Sequence, residues 1–334
     1  MMLTGIVSYW VQIGDLSFGH KGPSSTLIPD EVGGNTTPSV IHASGYIKGL
    51  EHSQIGVPFK ILRVNDRLYI VDAFATEGMI KVFDLAGNFS HAFGVLGQDE
   101  LAYIVDIALD KNNNIVVLDS APAVHIFDLD GKHLRRTGII FGESRQELAW
   151  AKAVMPTSDG YFVLSFEHLF KVDIGGKISA IYPQVTDQLK LGVAPSEFYL
   201  GPSALALDSS GKLWISDSVN RRFVRLGENG LFDHTVDIPK GPSHPTSFIL
   251  DEDGNFIYIN SANGTVAKLS VAGVWQWEFK LAGAKIDNNL DDICDLLLGQ
   301  NGELYVSNGW AGSIEKWDIS AKPKKIATTI KASA

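Results

Sequence analysis

The stretch from Pro202 to Asp237 reads PSALALDSSGKLWISDSVNRRFVRLGENGLFDHTVD, and it decides the fold. It contains four short apolar runs, each about as long as a β-strand, separated by Gly, Asn, Asp and Ser. These are the residues that tight turns require, so the stretch predicts a four-stranded antiparallel meander. A single meander has two apolar faces, and it is stable only when similar units cover both of them.

The same template recurs along the chain at a spacing of about 40 to 50 residues, the period of a β-propeller blade. Six copies can be aligned, at about 59–97, 105–142, 152–185, 203–238, 246–281 and 294–330. The predicted fold class is therefore all-β: a six-bladed β-propeller of four-stranded antiparallel blades over residues 59–334, with an N-terminal extension before it.

The segment Pro202–Leu226 resembles the NHL repeat, through its PSALALDSSGKLWISDSVNRR pattern followed by a strand and a glycine turn. Other copies keep the Phe-Asp-x-x-Gly turn, as at Phe83–Gly87 and Phe127–Gly131. The resemblance covers roughly residues 58 to 330 and implies an NHL-repeat six-bladed propeller. It implies no single function, because the fold hosts both enzymes and binding platforms.

Residues 1–58 do not match the template. They contain two apolar runs, Ile6–Ile13 and Val40–Lys48, and a link between them rich in Gly, Pro, Ser and Thr. One of the runs could pair with the last blade as its outermost strand and close the ring. Alternatively, the extension is an arm that docks on a partner, on the side of the propeller or in the sheet of a neighbouring subunit.

Composition and charge exclude several classes of function. The formal net charge of −10, without a basic stripe, predicts that nucleic acid is not a partner. No apolar stretch is long enough to span a bilayer, so no membrane span is expected. The single cysteine, Cys294, excludes an intrachain disulfide. Residues 1–13 lack the cationic start and the cleavage pattern of a signal peptide, which favours the cytoplasm but leaves secretion open.

One face of the predicted ring carries the sequence variation. In such a ring, the loops that join the second strand of a blade to its third and the loops that join successive blades lie on the same face, here called the loop face. The inter-blade loops are long and unlike one another, for example at Glu143–Ala151, Thr186–Gly201 and Ala282–Asp292. Divergent loops on a regular scaffold usually carry function, so the loop face is the candidate site.

Aligning the copies superposes the residues that open each innermost strand. These residues are Lys60, Asp106, Ala153, Ala204, Ser247 and Asp295. Because the first, second and sixth blades are neighbours in a closed ring, Lys60, Asp106 and Asp295 are expected to cluster at the central channel. Two interpretations stay open: an ion-paired plug, or a polar site that binds a ligand.

Acidic side chains near the channel are candidate metal ligands. Asp287 and Asp291 lie in the oxygen-rich loop DNNLDD, which leads directly to Asp295, and Asp106 lies in the second blade copy. Such oxygens suit Ca²⁺, although the spacing matches no dedicated Ca²⁺ loop. Apart from this possible Ca²⁺, no cofactor is expected.

Aromatic and histidine side chains also fall on the loops of the loop face. Phe74, Trp150 and Trp310 are the main aromatic candidates for ligand binding, and His168 and His244 are the histidine candidates. Exposed aromatic side chains on a loop surface are typical of recognition sites.

Two functions fit these residues. The first is a non-catalytic recognition or scaffold protein that binds a peptide, a protein or a glycan on the loop face. The second follows from the resemblance, because similar propellers include lactonases, streptogramin lyases and the amidating lyase. It is a metal-assisted hydrolase or lyase with Ca²⁺ or Zn²⁺ at the channel mouth. The inner positions Ala153 and Ala204 supply no ligand and Lys60 opposes a cation, which favours the first function.

Overall fold

The structure is a computed structural model. It describes residues 55–72, 75, 78–140, 151–165, 168–182, 202–228, 231–239, 243–281, 294–309, 311–321 and 323–328. Contacts divide the chain into residues 1–37 and 38–334, and all described residues belong to the second of these units. The predicted strands Ile6–Ile13 and Val40–Lys48 lie outside the described residues.

The described residues form six sheets, and each sheet is a meander of four consecutive antiparallel strands. The strands of blade 1 are β1 (Pro58–Val64), β2 (Arg67–Asp72), β3 (Ile80–Asp84) and β4 (Phe89–Phe93). Those of blade 2 are β5 (Ile104–Leu109), β6 (Ile115–Asp119), β7 (Ala123–Phe127) and β8 (His133–Gly138). Those of blade 3 are β9 (Ala153–Pro156), β10 (Gly160–Leu164), β11 (Leu169–Asp173) and β12 (Ile178–Tyr182).

Blades 4 to 6 repeat the arrangement. Blade 4 contains β13 (Pro202–Leu207), β14 (Leu213–Asp217), β15 (Arg222–Leu226) and β16 (Phe232–Asp237). Blade 5 contains β17 (Pro245–Leu250), β18 (Phe256–Asn260), β19 (Thr265–Leu269) and β20 (Trp275–Lys280). Blade 6 contains β21 (Cys294–Leu298), β22 (Glu303–Asn308), β23 (Ser313–Asp318) and β24 (Lys324–Thr328). The predicted fold, six blades of four antiparallel strands, is confirmed.

Asp-x-x-Gly turns set the register within the blades. In the turn after β13, the Asp208 carboxylate accepts the backbone N–H groups of Ser210 and Lys212 at 2.9 and 3.0 Å. Gly211 has φ of 78°, a left-handed conformation that glycine adopts without steric cost. The turns between the first and second strands and between the third and fourth strands lie on the side opposite the loop face, here called the turn face.

Burial between blades provides the core. Each of six hydrophobic clusters among the described residues lies at a junction between successive blades. At the junction of blades 4 and 5, the rings of Phe223 and Phe256 stack with centroids 4.3 Å apart. All five residues of β14 are buried, as they are in β6 and β18, which explains the continuous apolar second strands in the sequence. In contrast, β20 alternates between half-buried and exposed residues.

Contacts between the first and last innermost strands close the ring. The innermost strands touch one another in succession, and β21 also touches β1. At this junction the backbone N–H of Ile61 donates to Asp295 Oδ2 at 3.2 Å. The fourth strand of blade 6 is β24, from the C-terminal part of the chain. Whether residues 1–58 add a further strand there remains a prediction.

Candidate functional site

Strand pairing places the inner-channel candidates at equivalent positions. In blades 1, 2, 5 and 6 these residues pair with the penultimate residue of the second strand, and in blade 3 the partner is the last residue of β10. The pairs are Lys60 with Val71, Asp106 with Leu118, Ala153 with Leu164, Ser247 with Ile259, and Asp295 with Ser307. The alignment made from the sequence therefore has the register that the sheets adopt.

Lys60, Asp106 and Asp295 are brought together at the junctions of blades 6, 1 and 2. Lys60 Nζ lies 3.5 Å from Asp106 Oδ1, and the two side chains are 11% and 12% exposed. Burial raises the pKa of Asp106, and the negative charge of Asp295 adds to the increase. The ammonium group of Lys60 and the N–H of Val154 act in the opposite direction. The predicted acid–base–acid cluster is thus present in the structure.

Both carboxylates in this cluster join neighbouring blades. Asp106 Oδ2 accepts the backbone N–H of Val154, in the next blade, at 2.8 Å. Asp295 Oδ2 accepts the N–H of Ile61 from the blade that follows it in the ring. Its Oδ1 accepts the hydroxyl of Ser247, from the preceding blade, at 2.6 Å. The carboxylates therefore act as hydrogen-bonded links around the channel.

The described channel residues supply few oxygen ligands for a divalent cation. A Ca²⁺ site needs about six to eight oxygen ligands. Among the described residues of the channel, two carboxylates are close together, their oxygens accept hydrogen bonds from neighbouring blades, and the Lys60 ammonium lies beside Asp106. Among the described residues, no group of three or more His, Cys, Asp and Glu could hold a metal ion. The other candidate ligands, Asp287 and Asp291, lie outside the described residues.

A second set of polar residues lies where the second strands reach the loop face. These residues occupy the position at or directly after the end of each second strand. They are Asp72, Asp119, Ser165, Asp217, Asn260 and Asn308. None of these residues is among the site residues predicted from the sequence, because each occupies a position that belongs to the repeat. The available signal was an acid or amide following an apolar strand in five of the six blades.

Blade 2 has the most extensively bonded member of the set. Asp119 is fully buried and accepts the backbone N–H groups of Ala102, Ala121 and Ala123 at 3.0, 3.1 and 2.8 Å. It also accepts a hydrogen bond from His125 Nε2 at 3.2 Å. Ala102 belongs to the inter-blade loop, and Ala121 to the loop between the second and third strands. One carboxylate therefore holds two loops of the loop face.

A pair of histidines extends from Asp119 toward the surface of blade 2. His125 Nδ1 lies 3.2 Å from His133 Nε2, and His133 Nδ1 lies 3.6 Å from the Asp99 carboxylate. Because His125 Nε2 donates to Asp119, His133 Nε2 is the donor to His125 when both rings are neutral. Burial lowers the pKa of His133; Asp99 opposes this effect and His125 adds to it.

Blade 1 uses a lysine in the role of His125. Asp72 accepts the N–H groups of Gly56 and Val57 at 2.8 and 3.0 Å, and Lys81 Nζ lies 2.7 Å from its Oδ2. The side chains of Lys81 and Asp72 are only 2% and 1% exposed. Two buried charges are tolerated here because they pair directly and the carboxylate also accepts backbone hydrogen bonds.

In blades 4, 5 and 6 the residue at the end of the second strand forms hydrogen bonds with other partners. In blade 4, Asp217 Oδ2 accepts Arg222 Nε–H at 2.8 Å. In blade 5, Asn260 Oδ1 accepts the backbone N–H of His244 at 3.0 Å. In blade 6, Asn308 donates to Glu315 at 3.1 Å. The predicted site residue His244 therefore lies on the loop face, on an inter-blade segment fixed by Asn260.

Blade 3 lacks both members of the pair. Ser165 replaces the acid, and Phe170 occupies the third-strand position that His125 has in blade 2. Ser165 Oγ donates to the backbone carbonyl of His168 at 3.3 Å. His168 Nδ1 is buried without a hydrogen-bond partner in the described part of the chain. His168 thus lies on the loop face, between β10 and β11, and its role in ligand binding stays a prediction.

The aromatic candidates are not tested by the structure. Phe74, Trp150 and Trp310 lie outside the described residues. Their predicted role in ligand binding stays a prediction.

Comparisons with known proteins support the fold. The family model DUF5128, described as a 6-bladed beta-propeller, matches residues 50–163. No curated protein sequence matches the chain. The NHL assignment of the repeat remains a prediction.

Solved structures with similar folds include enzymes. Selenomethionine-substituted virginiamycin B lyase from Staphylococcus aureus is 15% identical, with a TM-score of 0.56, covering 84% of this chain and 86% of that chain. A catalytically inactive histidine-to-alanine variant of that lyase with quinupristin is 16% identical, with a TM-score of 0.55, covering 81% and 84%. A streptogramin B lyase is 13% identical, with a TM-score of 0.56, covering 83% of each chain. At these identities the likeness shows the fold alone.

Proposed function

We propose that this propeller is a non-catalytic recognition or scaffold protein that binds a peptide, a protein or a glycan on its loop face. The observation that carries the proposal is that buried polar side chains at the ends of the second strands anchor the loops of that face. In five blades, a buried acid or amide ends the second strand and holds adjacent loop segments or the side chains next to them. A surface that is already ordered loses less conformational entropy when it binds a partner.

The chemistry of the channel also supports recognition over catalysis. A general acid or base needs a proton-transfer group that can reach the substrate. The channel carboxylates Asp106 and Asp295 instead accept hydrogen bonds from neighbouring blades, and Asp106 also pairs with Lys60. Their main physical effect is to hold the ring together.

The test is a ligand search with variants that block one face at a time. The wild-type chain is screened against a displayed random-peptide library and a glycan array. Ala121→Arg and Ala262→Arg add a large cation to loops of the loop face, whereas Ser209→Arg adds the same group to an exposed turn on the turn face. We expect selected ligands to lose at least about tenfold in affinity with the first two variants only. Ligands that are equally sensitive to Ser209→Arg, or insensitive to all three variants, contradict the proposal.

A second candidate function is a metal-assisted hydrolase or lyase. The observation that favours it is the closeness of two acidic side chains, Asp106 and Asp295, at the channel of a fold shared with lyases. Calorimetric titration with Ca²⁺ and Zn²⁺ separates the two functions. Micromolar binding that is lost in both Asp106→Asn and Asp295→Asn supports the enzyme. A flat titration, or binding that persists in both variants, supports the recognition protein.

A further inference from the structure

A cleft on the turn face, between blades 2 and 3, is separate from the loop face. Its volume is about 260 Å³, close to the lower end of the range for small-molecule sites. Its walls are formed by the turns after β5, β9 and β11, by strands β7 and β8, and by the end of β9 and the start of β10. The side chains that matter for its chemistry are Lys111, Leu134, Arg135, Tyr161 and Ile174.

A buried hydroxyl and a guanidinium converge in this cleft. Tyr161 is 5% exposed, and its hydroxyl oxygen accepts Arg135 Nη2–H at 2.9 Å. The Tyr161 O–H has no acceptor in the described part of the chain, so its hydrogen is available to a ligand. Arg135 is exposed and keeps further N–H donors for the same ligand.

The two cations of the cleft are not neutralised by ion pairs. Within the ranges that the structure describes, neither Arg135 nor Lys111 has a carboxylate within ion-pair distance. Lys111 Nζ makes a long hydrogen bond, 3.4 Å, to the carbonyl oxygen of Ser158. By contrast, the neighbouring Arg136 pairs with Glu100 at 3.1 Å. In a chain with a net charge of −10, this is a locally cationic site.

The acid in the lining does not cancel this character. Asp110 Oδ1 accepts the backbone N–H groups of Asn112 and Asn114, both at 2.8 Å, and its Oδ2 accepts Asn114 Nδ2–H at 3.1 Å. Its oxygens are therefore occupied within their own turn. The lining contains two cations, Lys111 and Arg135, and one acid, Asp110, so its formal charge is +1.

Apolar side chains form the rest of the wall. Leu134 is 47% exposed and Ile174 is 58% exposed, and both line the cleft. An exposed apolar wall beside polar donors is typical of ligand-binding sites.

We propose that this cleft binds a monocarboxylate that has an apolar body. The carboxylate accepts hydrogen bonds from the Arg135 guanidinium and the Tyr161 hydroxyl, with Lys111 supplying a second positive charge. The apolar body packs against Leu134 and Ile174. A single negative charge matches the formal charge of the lining better than a phosphate dianion does.

The test uses 4-phenylbutyrate as the probe, with 4-phenylbutanamide and inorganic phosphate as controls, each titrated into the full chain and followed by NMR. We expect saturable binding of the carboxylate, with Kd on the order of millimolar, and at least tenfold weaker binding of the amide and of phosphate. Equal binding of the amide, tighter binding of phosphate or no saturable binding of the carboxylate overturns the proposal.

Matched variants identify the site of binding. Arg135→Gln and Tyr161→Phe are each expected to weaken 4-phenylbutyrate binding by about tenfold. Lys280→Gln, which removes an exposed cation in blade 5, and Ala121→Arg on the loop face are expected to leave it unchanged. Circular dichroism verifies that Tyr161→Phe is folded, and Arg135→Gln changes only an exposed side chain. Binding that is insensitive to Arg135→Gln, or equally sensitive to Lys280→Gln, contradicts the assignment. Because the cleft lies on the other face, this result is independent of the loop-face proposal.

Discussion

Blades 2 and 3 have the same four-stranded backbone but end their second strands differently. In blade 2, Asp119 accepts four hydrogen bonds, one of them from the buried His125. In blade 3, the same two positions hold Ser165 and Phe170, and Ser165 Oγ donates to a single carbonyl. Acid and base are therefore exchanged together for a hydroxyl and an apolar ring. The difference shows that the acid–base pair is a local anchor for loops, and that the blade fold does not require it.

The same comparison distinguishes two parts of the loop face. In blade 2, the Asp119 carboxylate accepts hydrogen bonds from the backbone N–H groups of three loop and strand residues. Beside Ser165, His168 Nδ1 is buried without a partner in the described part of the chain. A buried polar atom without a partner is costly, and a ligand that bonds to it recovers that cost. We therefore expect the blade 3 side of the loop face to contact the ligand.

The largest expected effect comes from removing the anchor of blade 2. Asp119→Ala leaves three backbone N–H groups and His125 without their acceptor, so the free energy of unfolding should fall by about 4 kcal/mol. Ser165→Ala removes one neutral hydrogen bond in blade 3 and should cost about 1 kcal/mol. Urea denaturation of both variants measures the two losses. Equal losses would mean that the two strand ends are anchored alike.

The next largest effect is expected in blade 1, where Asp72 and Lys81 occupy the positions that Asp119 and His125 have in blade 2. Lys81→Met leaves the Asp72 carboxylate buried with two backbone donors among the described residues, which should cost about 3 kcal/mol. Adding Asp72→Asn removes the unpaired charge, and the double variant should be more stable than Lys81→Met alone. A double variant that is less stable than the single one would show that the ion pair is not the source of the loss.

Transplanting the anchor into blade 3 should have a smaller effect. Ser165→Asp places a carboxylate beside Phe170 without a base, and should lower the free energy of unfolding by about 2 kcal/mol. Ser165→Asp combined with Phe170→His introduces into blade 3 the acid and base that blade 2 has, and should recover at least half of the loss. Chemical denaturation of the single and double variants provides the comparison. Additive losses would contradict the view that acid and base act as a unit.

The smallest effect is a pH dependence specific to blade 2. Because the pKa of His133 is lowered in the folded chain, the unfolded chain takes up the proton first as the pH falls. The stabilising contribution is present above the unfolded pKa, about 6.5, and is lost as the pH falls through the lower folded pKa. His133→Gln should therefore flatten the loss of stability between about pH 7 and pH 5. His234→Gln, which removes an exposed histidine on β16, is the matched control, and a slope that flattens equally in both variants would contradict the assignment to His133.

The fold could be predicted from the sequence because its determinants are local and repeated. Turn residues such as Asp208 and Gly211 recur with apolar runs at a fixed spacing, and together they define strands, register and blade number. The same register predicts that Lys60 lies near Asp106, and the two side chains are 3.5 Å apart. The binding role of these residues is a separate question that the register does not answer.

The buried anchors could not be predicted in the same way. Lys81 has the sequence context of a solvated strand residue, and its burial becomes evident only when β3 pairs with β2 and brings it beneath Asp72. The inter-blade loops follow no repeat, so their residues cannot be placed by alignment. The repeat therefore predicts which face of the ring carries the candidate site, but it does not predict the positions of the side chains on these loops.

Amide hydrogen exchange tests most directly the central claim, that buried acids hold the loop face in a form ready to bind. The account predicts that the N–H groups of Ala102, Ala121 and Ala123 exchange slowly in the wild type, and faster in Asp119→Ala while the amides of β6 stay protected. Exchange of these three amides in the wild type at the rate of an unstructured peptide would contradict it.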